Sequence, residues 1–332
     1  MTETLFLTSD DVAGLATPAE YVDRVADGYR QRGAGAPTEP RTALFADDPA
    51  GMLTSYSAIL PDDGYMGGYS YSAGFGAGDA WFMTPLFDAD SGEPLALLDG
   101  ASMNPFKTGA TGAVAVDALA REDAETVGMI GSGAQARGQL RATATVRELA
   151  AVDVYSPTKA HREEFADEMT DTLGIDVTAV DSSAAAVADA DIVITATTAS
   201  EPVFDGEQLA PGTHVTAMGQ YNPTKRELDT TTIERSTYVP DLRDRATQDA
   251  GALLHAIDAG VVDESHIHAE LGDIVVGTAE GRTSDEEITV FDSGGTAIET
   301  VAAAGMLYER ARDQGLGSTI EFAPASDALT GK

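Results

Sequence analysis

Gly131-Ser132-Gly133-Ala134-Gln135-Ala136 is the stretch that decides the fold of this chain. It follows an apolar segment at 126–130 that predicts a strand, and it opens a segment at 134–147 that predicts a helix. A second strand candidate, 151–155, begins about twenty residues after the turn. A glycine triplet pattern alone is weak, but strand, turn, helix and second strand in this order are the context a dinucleotide-binding turn requires. Gly131 permits the tight turn and Gly133 allows the backbone to approach a pyrophosphate. Ala136 lets the helix pack closely, and the helix N-terminus offers N–H groups to phosphate.

Working outward, strands and helices alternate after the turn. Helices are predicted at 158–173 and 183–188, and strands at 175–180, 192–196 and 214–217. Beyond Val239, itself read as strand, come helices through Leu253 and Ile257 and at 269–276, a strand at 288–291 and a terminal helix at 296–312. Alternation of this kind implies right-handed crossovers and a doubly wound parallel sheet. Before the turn the pattern changes to α+β. Thr17-Pro18-Ala19-Glu20 joins a capping box to proline at the first helical position, and the helix stops at Gly33. Val22, Val25, Ala26 and Tyr29 recur on one face, which reads as core. Strands are predicted at 5–7, 52–60, 65–72, 81–88 and 94–98, with Asp88-Ala89-Asp90-Ser91-Gly92 as a hairpin turn. Gly74 to Gly78 reads as a flexible loop. In the helix predicted at 104–121, Gly109 and Gly112 allow close backbone approach to a neighbour.

The expected fold class is therefore α/β, a Rossmann-type doubly wound parallel sheet domain (121–291) plus an α+β substrate and dimerisation domain (1–120 and 292–332). At 332 residues the chain is long enough for two cores. It carries 55 acidic against 20 basic residues and a net charge of -35. Such charge repels itself unless salt screens it, so the expectation is a halophilic, salt-adapted surface, and nucleic acid is excluded as a partner. With no cysteine, disulfides, thiolate nucleophiles and cysteine-ligated zinc are excluded. No long apolar run occurs, and Met1-Thr2-Glu3-Thr4 has neither the basic stretch nor the apolar core of a signal peptide, so the reading is cytoplasmic with no membrane partner. Only four lysines occur, Lys107, Lys159, Lys225 and Lys332, which makes the internal three candidates for specific anion contacts. His266 and His268 lack a third ligand at a recognisable spacing and His255 reads as structural, so no metal site is expected.

The end of the second strand sets the cofactor expectation. NAD binding calls for an Asp or Glu there, to accept the ribose 2′-hydroxyl. The segment reads Val154-Tyr155-Ser156-Pro157-Thr158-Lys159-Ala160-His161-Arg162, without a carboxylate before Glu163. Ser156 and Thr158 can donate hydrogen bonds, and Lys159 and Arg162 are cations suited to a 2′-phosphate. NADP(H) is therefore favoured over NAD(H).

The turn, together with Phe87-Asp88-Ala89-Asp90-Ser91-Gly92-Glu93-Pro94-Leu95-Ala96-Leu97-Leu98-Asp99-Gly100, resembles the ornithine cyclodeaminase and mu-crystallin family. Arg41-Thr42, Lys107-Thr108-Gly109-Ala110, Arg226-Glu227-Leu228-Asp229 and Ile288-Thr289-Val290-Phe291-Asp292-Ser293 extend the match over nearly the whole chain. The family includes ornithine cyclodeaminase, an archaeal type of alanine dehydrogenase, imine and ketimine reductases and NADPH-binding mu-crystallin. The resemblance implies a homodimer whose N-terminal domain, completed by the C-terminal helix, carries the substrate and dimer surfaces. It places Arg41 on the arginine that holds the substrate carboxylate and Gly294 on the substrate side. Thr84, Ala134, Gln135, Ser156, Thr197, Met218, Gly219, Gln220, Tyr221, Lys225 and Ser293 fall on positions that line the cofactor.

Three positions depart from the family pattern. Tyr69 stands where a lysine is usual, Tyr221 stands near the catalytic aspartate of the cyclodeaminase, and Lys107 replaces an arginine. Ornithine cyclisation needs a carboxylate and a proton acceptor near the imine, so these departures argue against that lyase reaction. The reaction expected instead is NAD(P)-dependent hydride transfer to or from a small amino or imino acid, of the imine reductase or alanine dehydrogenase type. Arg41 and Lys107 hold the carboxylate, with Tyr69, then Tyr221, as proton donor. The alternatives are ornithine cyclodeaminase, giving proline, and a mu-crystallin-like protein that binds NADPH with little turnover.

Overall fold

The computed structural model describes residues 2–330; Met1, Gly331 and the C-terminal Lys332 lie outside the described residues. The chain divides into two compact units, Met1–Lys107 with Thr296–Lys332, and Thr108–Gly295. The division falls within the helix Asn104–Leu119, whereas the sequence reading put the domain boundary at 120–121.

The first unit carries a seven-stranded sheet built from β1 (Thr2–Leu7), β2 (Thr42–Asp47), β3 (Ala50–Leu60), β4 (Tyr65–Gly74), β5 (Asp79–Asp88), β6 (Pro94–Asp99) and the C-terminal strand Ser318–Phe322. From the C-terminal strand the order is β1, β6, β5, β4, β3, β2. Among the described residues of this sheet, only β1 and β6 pair in parallel. The helix Pro18–Gly33 begins at the expected capping box, in which the Glu20 carboxylate accepts from Thr17 N at 2.7 Å. Tyr21, Val22, Val25 and Tyr29 form its buried face. Gly28 lies against Ile298 and Ala302 of the helix Ala297–Gln314. Asp88 organises its hairpin turn by accepting from Asp90 N and Ser91 N, and Gly92 takes φ +77°. The segment read as a flexible loop is instead the end of β4 followed by a helical turn, Phe75–Ala77, flanked by Gly74 and Gly78 at positive φ.

The sheet's two faces differ. Tyr56, Tyr69, Tyr71 and Thr84 are buried, with Tyr56 opposite Tyr69 in the register. The alternate residues face the other way: Leu44 pairs with Leu53, Leu53 with the half-buried Ser72, Ser72 with Trp81, and the half-buried Ser70 with Met83. That outer face therefore presents Leu44, Leu53, Trp81 and Met83 to solvent.

The second unit is a seven-stranded, wholly parallel sheet of β7 (Thr126–Ile130), β8 (Ala151–Tyr155), β9 (Asp176–Ala179), β10 (Ile192–Thr195), β11 (His214–Ala217), β12 (Ser236–Pro240) and β13 (Ile288–Asp292). Its order is β12-β13-β11-β10-β7-β8-β9. The strand order reverses between β7 and β10, where a doubly wound sheet opens its ligand crevice. Apolar side chains cover both faces. Val127, Met129, Val152, Val154, Ile192 and Ile194 pack with Leu140 and Phe165, while Ile130, Val193, Val215, Tyr238 and Val290 pack with Leu228 and Leu253. Helix glycines permit the close approach expected of them, since a Cβ on Gly109 would overlap the Gly138 backbone.

Candidate functional site

The turn after β7 has the conformation that the sequence demands. Gly131 takes φ +120°, and a Cβ there would overlap the Ala196 carbonyl oxygen. Gly133 caps the helix Ala134–Thr143 without a side-chain hydrogen bond, and the direction its Cβ would take is open space. Ala136 is buried. The expected cofactor positions of this unit then gather at the C-terminal edge of the parallel sheet. Ser156 follows β8, Thr197 follows β10, Met218, Gly219, Gln220 and Tyr221 follow β11, and Ser293 and Gly294 follow β13. Tyr221 and Lys225 are exposed. Two buried side-chain atoms at these positions, Gln135 Oε1 and Ser293 Oγ, have no hydrogen-bond partner. Buried polar atoms are normally satisfied, so an open glycine turn beside two unsatisfied groups fits a bound dinucleotide.

Two buried charged groups that the sequence reading passed over hold this edge together. Glu227 accepts from Thr195 Oγ1 (2.9 Å), Thr197 N (2.7 Å), Thr197 Oγ1 (2.6 Å) and Gly219 N (2.7 Å). It thereby ties the loops after β10 and β11. Burial pushes its pKa up, against those hydrogen bonds. Arg245, wholly buried, donates to Asp241 (2.8 Å), Asp249 (3.3 Å) and the Asp292 carbonyl (2.7 Å). Asp241 in turn accepts from Gly294 N (2.9 Å) and Gly295 N (3.0 Å), fixing the loop after β13. Both residues sit among so many charged neighbours in the sequence that only the fold singles them out.

The structure engages both cations assigned to a 2′-phosphate. Arg162 is buried, donates to Ser156 O (3.1 Å) and pairs with Asp181 (2.6 Å). Lys159 is exposed and faces Glu163 at 3.5 Å. Ser156 Oγ accepts from Ser132 Oγ at 2.9 Å, and Thr158 is the exposed N-cap of the following helix.

The first unit has its own polar cluster under the aromatic sheet face. Arg41, Lys107 and Glu299 are all buried. Lys107 Nζ lies 3.6 Å from Glu299 Oε1 and 5.1 Å from the centre of the Tyr69 ring. Arg41 stands over Tyr56 at 5.7 Å, and Tyr69 stacks on Phe82 at 5.2 Å. Burial lowers the Lys107 pKa, and the Glu299 carboxylate opposes that shift. Glu299 also closes the capping box of its helix, accepting from Thr296 N (2.6 Å) and Thr296 Oγ1 (2.5 Å). The buried Thr84 Oγ1 has no hydrogen-bond partner. The Tyr69 hydroxyl, the expected proton donor, donates to Gly100 O at 3.1 Å, and burial raises its pKa well above that of an ordinary phenol.

The histidines have structural partners. His266 and His268 donate to the carbonyls of Ile233 and Glu280. His214 lies inside β11 between Thr289 and Thr216, its pKa lowered by burial to about 3. Among the described residues no group of three His, Cys, Asp or Glu is placed to hold a metal, and no helix is long and apolar enough to cross a membrane.

Fold and site together define a class: a Rossmann-type α/β unit carried with an α+β unit that gathers buried cations on an aromatic floor. The family model described as ornithine cyclodeaminase/mu-crystallin family matches residues 2–315, and the chain belongs to that family. A Delta(1)-pyrroline-2-carboxylate reductase of Bacillus cereus is 39% identical over 238 residues, covering 71% of this chain and 73% of that protein. The structure of Thermococcus litoralis Delta(1)-pyrroline-2-carboxylate reductase in complex with NADH and L-proline superposes with a TM-score of 0.91. Its identity is 34%, covering 96% of this chain and 100% of that one. An archaeal alanine dehydrogenase dimer with bound NAD gives a TM-score of 0.91 at 32% identity, covering 97% and 100%.

Proposed function

We propose that this chain is a nicotinamide-dependent oxidoreductase that reduces a small cyclic imino acid, with Delta(1)-pyrroline-2-carboxylate as the model substrate and proline as the product. The observation that carries the reading is the buried Arg41, Lys107 and Glu299 cluster against Tyr56 and Tyr69. Guanidinium and ammonium suit a carboxylate, and the aromatic rings suit an apolar ring bearing it. Gly131, Gly133, Ala134, Gln135, Thr197 and Met218 to Gln220 would hold the dinucleotide, with Thr84, Lys225 and Ser293 as further contacts. When bound, the nicotinamide supplies the hydride.

Reducing a C=N bond also needs one proton at nitrogen. Lys107 is our choice of donor, because burial lowers its pKa and makes the ammonium a readier acid, whereas the Tyr69 hydroxyl already donates to Gly100 O. Tyr69 is then the floor under the ammonium, and Arg41 carries the carboxylate. Tyr221 and Gly294 remain candidates for substrate contact. The main parts divide between the two units, with the dinucleotide turn on Thr108–Gly295 and the carboxylate clamp and dimer surfaces on the other.

The test is a panel of imino acids, pyruvate with ammonia, and ornithine, followed through nicotinamide absorbance and ammonia release. The expected result is NADH- or NADPH-dependent reduction of Delta(1)-pyrroline-2-carboxylate to proline, with no ammonia from ornithine. Ammonia from ornithine without net cofactor change would establish the lyase instead. Tight cofactor binding without turnover on any member would establish a mu-crystallin-like holder.

The exposed Leu44, Leu53, Trp81 and Met83 face supports a homodimer closed through the outer sheet face, and the charge of -35 supports adaptation to high salt. Light scattering combined with melting curves checks both. A dimer mass is expected throughout, with a melting temperature that climbs from dilute buffer to molar potassium chloride; a monomer, or a flat melting temperature, sinks the corresponding half.

A further inference from the structure

The expectation of NADP rested on two cations at the end of β8 and the start of the helix Lys159–Leu173. In the fold each of them is already met by a carboxylate. Arg162 spans two partners, donating Nη1 to the Ser156 carbonyl at 3.1 Å and Nη2 to Asp181 Oδ1 at 2.6 Å, with its guanidinium 5.8 Å from the centre of the Tyr155 ring. Its side chain is 9% exposed, and that of Asp181 is 95% exposed. Asp181 follows β9, the strand next to β8 in the sheet. Lys159 faces Glu163 one helical turn on.

In a Rossmann sheet the adenosine ribose sits at the C-terminal end of the second strand, which here is Tyr155 and Ser156. An arginine at that place accepts a 2′-phosphate only when its fork is open to it. We infer that Asp181 is an internal stand-in for the 2′-phosphate: it occupies the Arg162 fork and sets this enzyme to NAD(H) over NADP(H). The inference rests on the nicotinamide-dependent reading above. A 2′-phosphate, carrying a charge of about −1.5 to −2 at neutral pH, would have to displace the Asp181 carboxylate from Arg162 and sit beside it, with Glu163 adding repulsion on the Lys159 side. NADH brings a neutral 2′-hydroxyl, for which Ser156 and Thr158 supply polar groups, and it leaves the Arg162–Asp181 pair intact. The missing carboxylate at the end of β8 is thus replaced by one contributed from the neighbouring strand end, which the order β7-β8-β9 brings alongside.

The experiment measures dissociation constants of NADH and NADPH by nicotinamide fluorescence, without substrate, for the wild-type chain, Asp181→Asn and Asp181→Ala. The asparagine variant keeps an acceptor for Arg162 while removing the charge, so it separates repulsion from loss of structure. Wild type is expected to bind NADH more tightly. Both variants are expected to shift the NADPH-to-NADH affinity ratio toward NADPH by roughly tenfold, the scale of one screened charge removed from contact distance. Equal or tighter binding of NADPH by wild type, or a ratio unmoved in both variants, overturns the inference and leaves the oxidoreductase reading standing. If neither nucleotide binds the wild-type chain, the cofactor reading falls and takes this inference with it.

Discussion

Arg41→Ala is expected to lower kcat/KM for the imino acid by about three orders of magnitude, close to 4 kcal/mol of transition-state binding, while NADH binding measured by fluorescence stays within twofold. The size follows from burial. Arg41 is 5% exposed and its guanidinium rests over Tyr56, so a carboxylate meeting it is drawn out of water and relies on the fork for its hydrogen bonds. Removing the fork leaves that carboxylate desolvated and unpaired, which costs far more than losing a surface contact. Arg41→Lys restores charge without the planar pair of donors and is expected to recover only part of the loss, ending about tenfold below wild type or worse. A kcat/KM for Arg41→Ala within a factor of a few of wild type would remove the carboxylate clamp from the proposal.

How much of this site the sequence disclosed depends on the range of the interaction. The nucleotide turn was fully legible because its determinants are local: Gly131 at φ +120° and a helix start capped by glycine, without a side-chain hydrogen bond, lie within a few residues of one another. Helix boundaries marked by caps, Thr17 with Glu20 and Thr296 with Glu299, were equally legible. Two strands were not. β2 and the C-terminal strand Ser318–Phe322 form the sheet's edges, almost every residue in them is exposed, and backbone pairing rather than an alternating apolar pattern holds them in place.

The long-range charge pairs were illegible for a different reason. Asp181 meets Arg162, Glu227 ties two strand ends and Glu299 reaches Lys107 only because the sheet order and the return of the helix Ala297–Gln314 bring them together. In a chain with 55 acidic residues no single carboxylate stands out. The partner of the Tyr69 hydroxyl was hidden at the same level. The position of Tyr69 on the buried face follows from strand alternation, but the claim of Gly100 O on its hydroxyl appears only once β4, β5 and the end of β6 are assembled.

Lys107 then carries the second large effect, and it can be asked to separate two roles. As a carboxylate holder it needs only charge; as the acid it needs a removable proton. Lys107→Arg keeps a cation that stays charged at any working pH and does not give up its proton, so a holder would survive this change. The donor role predicts a fall in kcat by a factor of about 10² to 10⁴, with KM little changed. The wild-type pH profile carries the same information. Burial lowers the Lys107 pKa from its ordinary value, and an acid must be protonated to act, so imine reduction is expected to decline as pH rises through that lowered value, at lower pH than an ordinary lysine would impose. Glu299→Gln sharpens the test. Glutamine still serves the capping box with Thr296, but the carboxylate that holds the Lys107 pKa up is gone, so the alkaline limb is expected to move to lower pH. An alkaline limb that stays in place in Glu299→Gln and persists in Lys107→Arg would assign the proton to another group and return Lys107 to the carboxylate alone.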